Sequence, residues 1–335
     1  DMETLETLTA FEESVAHFQR IFEIVPEVLV CDRHPGYLSS RWAREHTGDA
    51  TLVEVQHHHA HLAALMAEHG LDGSEPVIGF CFDGTGYGDD GAIWGGEVLI
   101  ADYTGFVRRS HLRYIPLPGG DGAVKHPCRT ALAHLWAAGI AWDEALPPVA
   151  ALTSTARAVL QQQFERNFHV VPTSSMGRLF DAVAALAGLR QHVTYEAQGA
   201  IELEALAMSA TDTVGKYLFA IAENGHTFDA APVMQAIAND LSAGVSVAQI
   251  GWRFHNAVSD LIVDLSLLLR AEGHGGPVAL SGGVFQNVLL LQQVVERLAY
   301  AGFQVLTHRA VPPNDGGLAL GQLLVANAHI GFDAA

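Results

Sequence analysis

Between residues 3 and 24 the apolar positions Leu5, Leu8, Phe11, Val15, Phe18 and Phe22 recur at steps of three and four. That spacing gathers them on one face of a helix. The rhythm then changes. "EVLVCD" (27–32) and "TLVEVQ" (51–56) are short apolar runs that predict strands, with a helix over "YLSSRWARE" between them. Helical spacing resumes at the histidines behind the second strand and runs to Glu68, where Gly70 stops it. "VIGFCFD" (77–83), "AIWGGEVLIAD" (92–102) and "FVRRSHLRYI" (106–115) predict three successive strands, the first two joined through a Gly-rich turn and the last two through "YTG". Residues 122–138 turn helical, and 140–245 is mostly helical with punctuation at Pro147, Pro148, Pro172 and Gly215. A long helix spans 246–271. "PVALSGG" (277–283) predicts a strand and a Gly turn, followed by a helix, a strand "QVLTH" (304–308) and a last helix from about Gly316. The pattern is α/β, and its two halves divide near residue 170, into 1–170 and 171–335.

Length and composition narrow this further. A chain of 335 residues suits two domains or one large duplicated one. With 49% hydrophobic and only 16% charged residues it builds a core rather than a disordered chain. Its apolar stretches fall short of a membrane span, and no signal peptide opens it. Asp1 stands before Met2, so a piece of a longer polypeptide is expected, a cloning scar being the alternative. The net charge of −19 repels phosphate backbones and anionic lipid, which argues against nucleic acid and membrane surfaces as partners unless the fold gathers a local basic patch. Cys31, Cys81 and Cys128 are odd in number, widely spaced and in no CxxC pair. That usage fits a reducing cytoplasm and argues against disulfides or a zinc knuckle.

Four stretches carry candidate chemistry. "QHHHAH" (56–61) places His57 and His61 four apart, so on a helix both imidazoles reach one ion; His58 and His61 can converge too. A polar helix start with hydrogen-bonded histidines is the plainer account, and two histidines still need a carboxylate from elsewhere. "FDGTGYGDDG" (82–91) offers Asp83 at a strand end, able to orient a metal or its waters, with Gly84, Thr85 and Gly86 to approach an anion closely; a simple Gly/Asp hairpin is the alternative. "VALSGGVFQN" (278–287) runs a strand into Ser281, Gly282 and Gly283 and a helix behind them, with Asn287 one turn in. This is either an anion-binding helix start or an ordinary tight loop. In "PPNDGGLALGQ" (312–322), Asn314 or Asp315 caps the last helix, or Asp315 is the missing carboxylate. Lys125 and Arg129, four apart in "GGDGAVKHPCRTAL", face a phosphate or a partner's carboxylate terminus, or are solvated helix charges.

Taken together, "VQHHHAH", "FDGTGYGDDGAIWGGE", "PLPGGD", "SGGVFQN" and "PPNDGGLALGQ" resemble, in order, the HypF carbamoyltransferases of NiFe-hydrogenase maturation. The likeness spans roughly residues 1–330 and falls on the C-terminal portion of that family. That portion is itself similar to the TsaD tRNA-modifying enzymes and to antibiotic O-carbamoyltransferases. The resemblance implies the actin/Hsp70-like ATPase (ASKHA) fold, with duplicated mixed-sheet halves around a cleft. It implies a divalent metal, iron or zinc, on His57, His61 and Asp315. It implies ATP or carbamoyl-adenylate, with magnesium admitted beside it, on Asp83–Gly86 and Ser281–Gly283 near Asn287. "SSMGRLFDAVAALAGL" and "YEAQGAIELEALA" place Asp181 and Glu202 at positions that contact the nucleoside in TsaD-like relatives, the alternative being plain surface carboxylates or caps. The implied acceptor is the C-terminal cysteine of a HypE-like partner, and the remaining HypF domains belong to the same polypeptide. The hairpin that usually opens this fold is not visible ahead of Glu27, and the domains that make carbamoyl-adenylate are absent from the sequence. The rival readings are a sugar or acetate kinase, a small-molecule O-carbamoyltransferase, a tRNA threonylcarbamoyl transferase, and a non-catalytic nucleotide switch.

Overall fold

The computed structural model describes residues 4–211 and 214–331, so the Asp1–Met2 opening lies outside the described residues. Helix α1 (Leu5–Phe22) starts at a reciprocal Thr4–Thr7 cap, and its Phe11 ring packs edge-on against Trp42. Strand β1 (Val28–Asp32), helix α2 (Leu38–Glu45) and strand β2 (Thr51–Val55) form a βαβ unit, the two strands parallel from Val28 opposite Thr51 to Asp32 opposite Val55. Helix α3 (His57–Glu68) begins directly behind β2, with the Gln56 side chain accepting the His59 N–H as its cap.

Strands β3 (Val77–Tyr87), β4 (Ile93–Ala101), β5 (Phe106–Leu112) and β6 (Ile115–Pro118) follow, then helices α4 (Pro127–Ala137), α5 (Pro147–Ala150) and α6 (Ser154–Arg166). Next come β7 (Val170–Thr173), α7 (Met176–Leu186), α8 (Gln198–Met208), β8 (Ala220–Ile221), β9 (Thr227–Asp229), α9 (Ala231–Ser242) and α10 (Val247–Ala271). The chain ends with β10 (Val278–Ser281), α11 (Val288–Tyr300), β11 (Val305–Thr307) and α12 (Leu318–Ile330).

A mixed sheet in the order β11-β10-β3-β4-β5-β9-β8 is the centre of the molecule. Strands from both sides of residue 170 hydrogen-bond within it, β10 running parallel to β3 with Ser281 opposite Cys81. Strand β3 is apolar on both faces, as a strand covered on both sides must be. Ile78, Phe80 and Phe82 join the large core with α7 and α10 residues; Val77 and Cys81 join a second core with Leu62, Leu65 and Met66 of α3. Helix α12 crosses α3 so closely that a Cβ on Gly321 would lie 1.8 Å from the Ala60 carbonyl oxygen. No helix among the described residues is long and apolar enough to cross a membrane.

Three expectations change. Residues 106–115 are not one strand: β5 stops at Leu112, and Ile115–Pro118 pairs with β7 instead. Pro116 and Pro118 lack the N–H that a continuous interior strand needs. The "mostly helical" 140–245 contains β7, β8 and β9, which have 4, 2 and 3 residues and are too short to show a period of two. The glycine motif after Phe82 is no turn; β3 continues through it to Tyr87, with a register shift between Phe82 and Gly86, and the turn lies at Gly88–Ala92.

Candidate metal and nucleotide site

His57 and His61 lie one turn apart at the start of α3, 0% and 1% exposed, where the helix presses on the sheet. Asp83 comes from the β3 bulge, and Asp315 from the turn before α12. His57 Nε2 and His61 Nε2 stand 3.4 and 3.2 Å from Asp83 Oδ2, and 3.6 and 3.8 Å from Asp315 Oδ1. One ligand atom from each of the four falls within 4.8 Å of the others. Donors held about 2.0–2.2 Å from a tetrahedral ion stand roughly 3.3–3.6 Å apart, so the cluster has nearly the span of a coordination shell. His61 Nε2 is buried without a hydrogen-bond partner, as a ring nitrogen reserved for a metal would be. Two imidazoles and two carboxylates suit zinc or iron(II). His58 turns aside, toward Gln56, Trp94 and Gly86, and takes no part. Asp315 does not cap the turn; Asn314 does, accepting the Gly316 N–H.

The surroundings tune these groups. His57 Nδ1 lies 2.8 Å from Asp32 Oδ2, at the end of β1. That contact fixes the ring so that Nε2 faces the cluster. Burial alone would lower the His57 pKa, but Asp315, Asp32 and Asp83 together hold it well above the usual imidazole value. Asp83 is held well below the usual carboxylate range: burial opposes this, and His57 and His61 outweigh it. The Tyr37 phenol is pushed up to about 12 by burial and by Asp315, Asp32 and Asp83, against the pull of His57. Sequence reasoning missed Asp32 and Tyr37. Asp32 had a signal, because "VLVCD" ends an apolar strand in aspartate just as "GFCFD" does.

Asp83 also joins the two glycine segments. Its Oδ1 accepts the N–H of Gly84 at 2.8 Å and of Gly283 at 3.2 Å. Gly282 adopts φ +100° and passes so near β3 that a Cβ would lie 2.3 Å from the Phe82 oxygen, so only glycine fits. Helix α7 points its N-terminus at the same place: Ser175 Oγ donates to the carbonyls of Asp83 and Gly84. Arg178 in its first turn is 2% exposed and reaches Asp181 at 3.0 Å and Glu196 at 3.6 Å. Asp181 is therefore not a surface charge, and burial raises its pKa. Ser175 and Arg178 were also missed.

Other expected residues have different company. Thr85 is half-buried in the bulge, and Gly86 leaves room for the His58 ring. Glu202 pairs with Arg190 at 2.7 Å. Asn287 is engaged at both ends, its Oδ1 capping α11 through Leu290 N–H and its Nδ2 donating to His255 Nε2. Lys125 and Arg129 flank His126 at the start of α4, and among the described residues neither makes an ion pair.

Comparison with known proteins decides the family. Residues 79–322 match the model described as "Carbamoyltransferase, Kae1-like Domain, second subdomain", and residues 1–68 match "HypF Kae1-like domain". The chain belongs to the HypF carbamoyltransferase family. It is 38% identical to carbamoyltransferase HypF2 of Cupriavidus necator and 37% to carbamoyltransferase HypF of Synechocystis, over 97% of this chain and 43% of each relative. It thus spans less than half the length of those relatives. A shorter "carbamoyltransferase HypF homolog" of Cupriavidus necator is 38% identical over 90% of this chain and 77% of its own length. The crystal structure of full-length HypF in the phosphate- and nucleotide-bound form superposes with TM-score 0.91 at 39% identity, over 100% of this chain and 52% of that one. The HypF of T. kodakarensis gives 0.86 at 29% identity, over 99% of this chain and 44% of that one. The fold is accordingly the α/β, mixed-sheet Kae1-like member of the actin/Hsp70-like ATPase class.

Proposed function

We propose that this chain transfers a carbamoyl group from carbamoyl-adenylate to the C-terminal cysteine thiolate of a HypE-like partner. One observation carries the reading: Asp83 faces the histidine cluster with Oδ2 while Oδ1 gathers the amides of both glycine segments. The metal cluster and both glycine segments then share one residue. The nucleotide would lie between the 1–170 part, through Asp83–Gly86, and the 171–335 part, through the turn at Gly282–Gly283 and the α7 start beside Asp181, Ser281 itself being buried.

His57, His61, Asp83 and Asp315 would hold a divalent ion, iron or zinc. When bound, it supplies Lewis-acid polarisation of an oxygen on the carbamoyl-adenylate. The protein does the rest. The α7 N-terminus would favour the phosphate of the leaving AMP, while Gly84, Gly282 and Gly283, whose N–H groups are held by Asp83 and Pro313, would let the nucleotide approach the backbone closely. Asp32 keeps the His57 ring oriented. In the transfer, the incoming thiolate bonds to the carbamoyl carbon, the bond from that carbon to the phosphate oxygen breaks, and AMP leaves with the electron pair. The thiolate comes from outside the chain: Cys31, Cys81 and Cys128 are all buried, and burial raises each thiol pKa. Carbamoyl-adenylate itself would be made by other parts of the longer HypF polypeptide.

The test is mass spectrometry of a HypE-like protein after incubation with carbamoyl-adenylate and the zinc- or iron-loaded chain. A gain of one carbamoyl group on the terminal cysteine is expected. An unmodified cysteine beside folded, metal-loaded protein would refute the reading.

A further inference from the structure

Asp315 is the outlying member of the cluster. Its side chain is 58% exposed, against 0% and 1% for His57 and His61 and 10% for Asp83. It ends an irregular segment, residues 308–314, that leads from β11. A carboxylate on a free segment binds an ion weakly, because ordering each backbone residue costs on the order of 1 kcal/mol. The structure shows what orders this one.

Glu68 is the last residue of α3, the helix that carries His57 and His61 at its other end. Its carboxylate accepts three consecutive backbone N–H groups of the segment, from Arg309, Ala310 at 2.6 Å and Val311 at 3.4 Å. Burial opposes the charge, but these donors and His308 hold its pKa below the usual range. His308 adds a second tie. Its Nε2 lies 2.8 Å from Ser281 Oγ, and its Nδ1 lies 3.3 Å from Glu68 Oε2, near enough for electrostatic attraction though not aligned as a hydrogen bond. Ser281 Oγ in turn lies 3.3 Å from the His61 backbone oxygen. Farther along, Gly282 N–H donates to the Pro313 oxygen at 3.0 Å.

Serine, histidine and glutamate in this order resemble a hydrolytic triad. Burial argues for another use, since Ser281 is 0% exposed and offers an acyl group no approach. The set instead ties the segment to the helix and strand that frame the cluster. We propose that Glu68 and His308 are positioning residues that hold residues 308–314 so that Asp315 reaches the ion. This rests on the metal reading of His57, His61, Asp83 and Asp315.

The experiment is competition for Zn2+ between the metal-free chain and a chromophoric chelator. It compares the parent with Glu68→Ala, Glu68→Gln, His308→Asn, Asp315→Ala and the double variant Glu68→Ala/Asp315→Ala. Glu68→Ala should weaken zinc binding about tenfold or more, the scale seen when groups behind a metal ligand are removed. His308→Asn should weaken it less. Glu68→Gln, which keeps an acceptor oxygen, should recover part of the loss. The double variant should bind no more weakly than Asp315→Ala alone, because the tie then has no ligand to place. Parent-like affinity in both Glu68 variants and in His308→Asn, or full additivity in the double variant, overturns the proposal. If Glu68→Ala does not fold, Glu68→Gln and His308→Asn read the same quantity. A parent that binds no Zn2+ refutes the metal reading and this proposal with it, a result distinct from a zinc-binding parent indifferent to Glu68.

Discussion

Asp83 has two oxygens with different tasks, and that division can be tested by a single atom. In Asp83→Asn the amide oxygen can still accept the Gly84 and Gly283 N–H groups, while the NH2 faces the two imidazoles where a ligand should be. The variant should remain folded and purify without stoichiometric metal, as measured by elemental analysis beside far-ultraviolet circular dichroism; His57→Ala should behave likewise. Metal retained at parental stoichiometry in Asp83→Asn would remove Asp83 from the ligand set. Asp32 lies one step farther out. Asp32→Asn should keep the metal but bind Zn2+ about 10–100-fold more weakly, because the Nδ1 partner that orients His57 is no longer charged. An unchanged dissociation constant would mean that the helix alone orients the ring.

At the scale of elements, the site depends on α3 being wedged between the sheet and α12. Gly321 permits the second contact. Gly321→Ala puts a methyl group 1.8 Å from a backbone oxygen that cannot move without the histidine helix. Overpacking of this kind costs about 1–3 kcal/mol, so thermal unfolding should fall by several degrees. Leu323→Ala on the same helix, at a side chain 60% exposed, is the control and should change little. Equal melting temperatures for the parent and Gly321→Ala would show that α12 can lift off α3 freely. The long elements were legible because one periodicity ruled each of them, as in α3, β3 and α10. The Pro-Gly turn left Asp315 open between a cap and a carboxylate ligand, whereas the histidine pair was legible as residue types at helical spacing. Asp32 as the partner of His57 was not, since it depends on β1 ending beside the start of α3. That Asp83 turns one oxygen to the histidines and the other to the glycine amides was not either, since only the bulge aims them so. Strands β7, β8 and β9 are defined by what they pair with, and a pairing partner leaves no mark on a run of 2 to 4 residues.

Across the whole molecule, the buried histidines make stability depend on pH. His134, on α4, and His255, on α10, are 4% and 0% exposed. Burial lowers the pKa of each to about 4, only partly offset by Asp229 for His134 and by the Gly251 carbonyl for His255. His255 is neutral with Nδ1–H donating to the Gly251 oxygen and Nε2 accepting from Asn287, so a second proton would break the latter bond. In the unfolded chain both rings return to an ordinary pKa near 6.5. Between about pH 6.5 and pH 4 the unfolded state therefore binds protons that the folded state refuses. Stability is complete above that window, falls as the pH drops through it, and flattens below. Each ring accounts for roughly 3 kcal/mol across the window. His57 acts in the opposite sense while metal-free, its raised pKa favouring the folded state as protons are added. Urea unfolding of the parent and of His134→Leu, each followed from pH 7 to pH 4.5, separates the contributions, because His57 is common to both. The difference in stability between parent and variant should shift steadily in the variant's favour as the pH falls. A difference that stays constant over the window would mean that His134 is protonated in the folded protein and that water reaches the interior of α4.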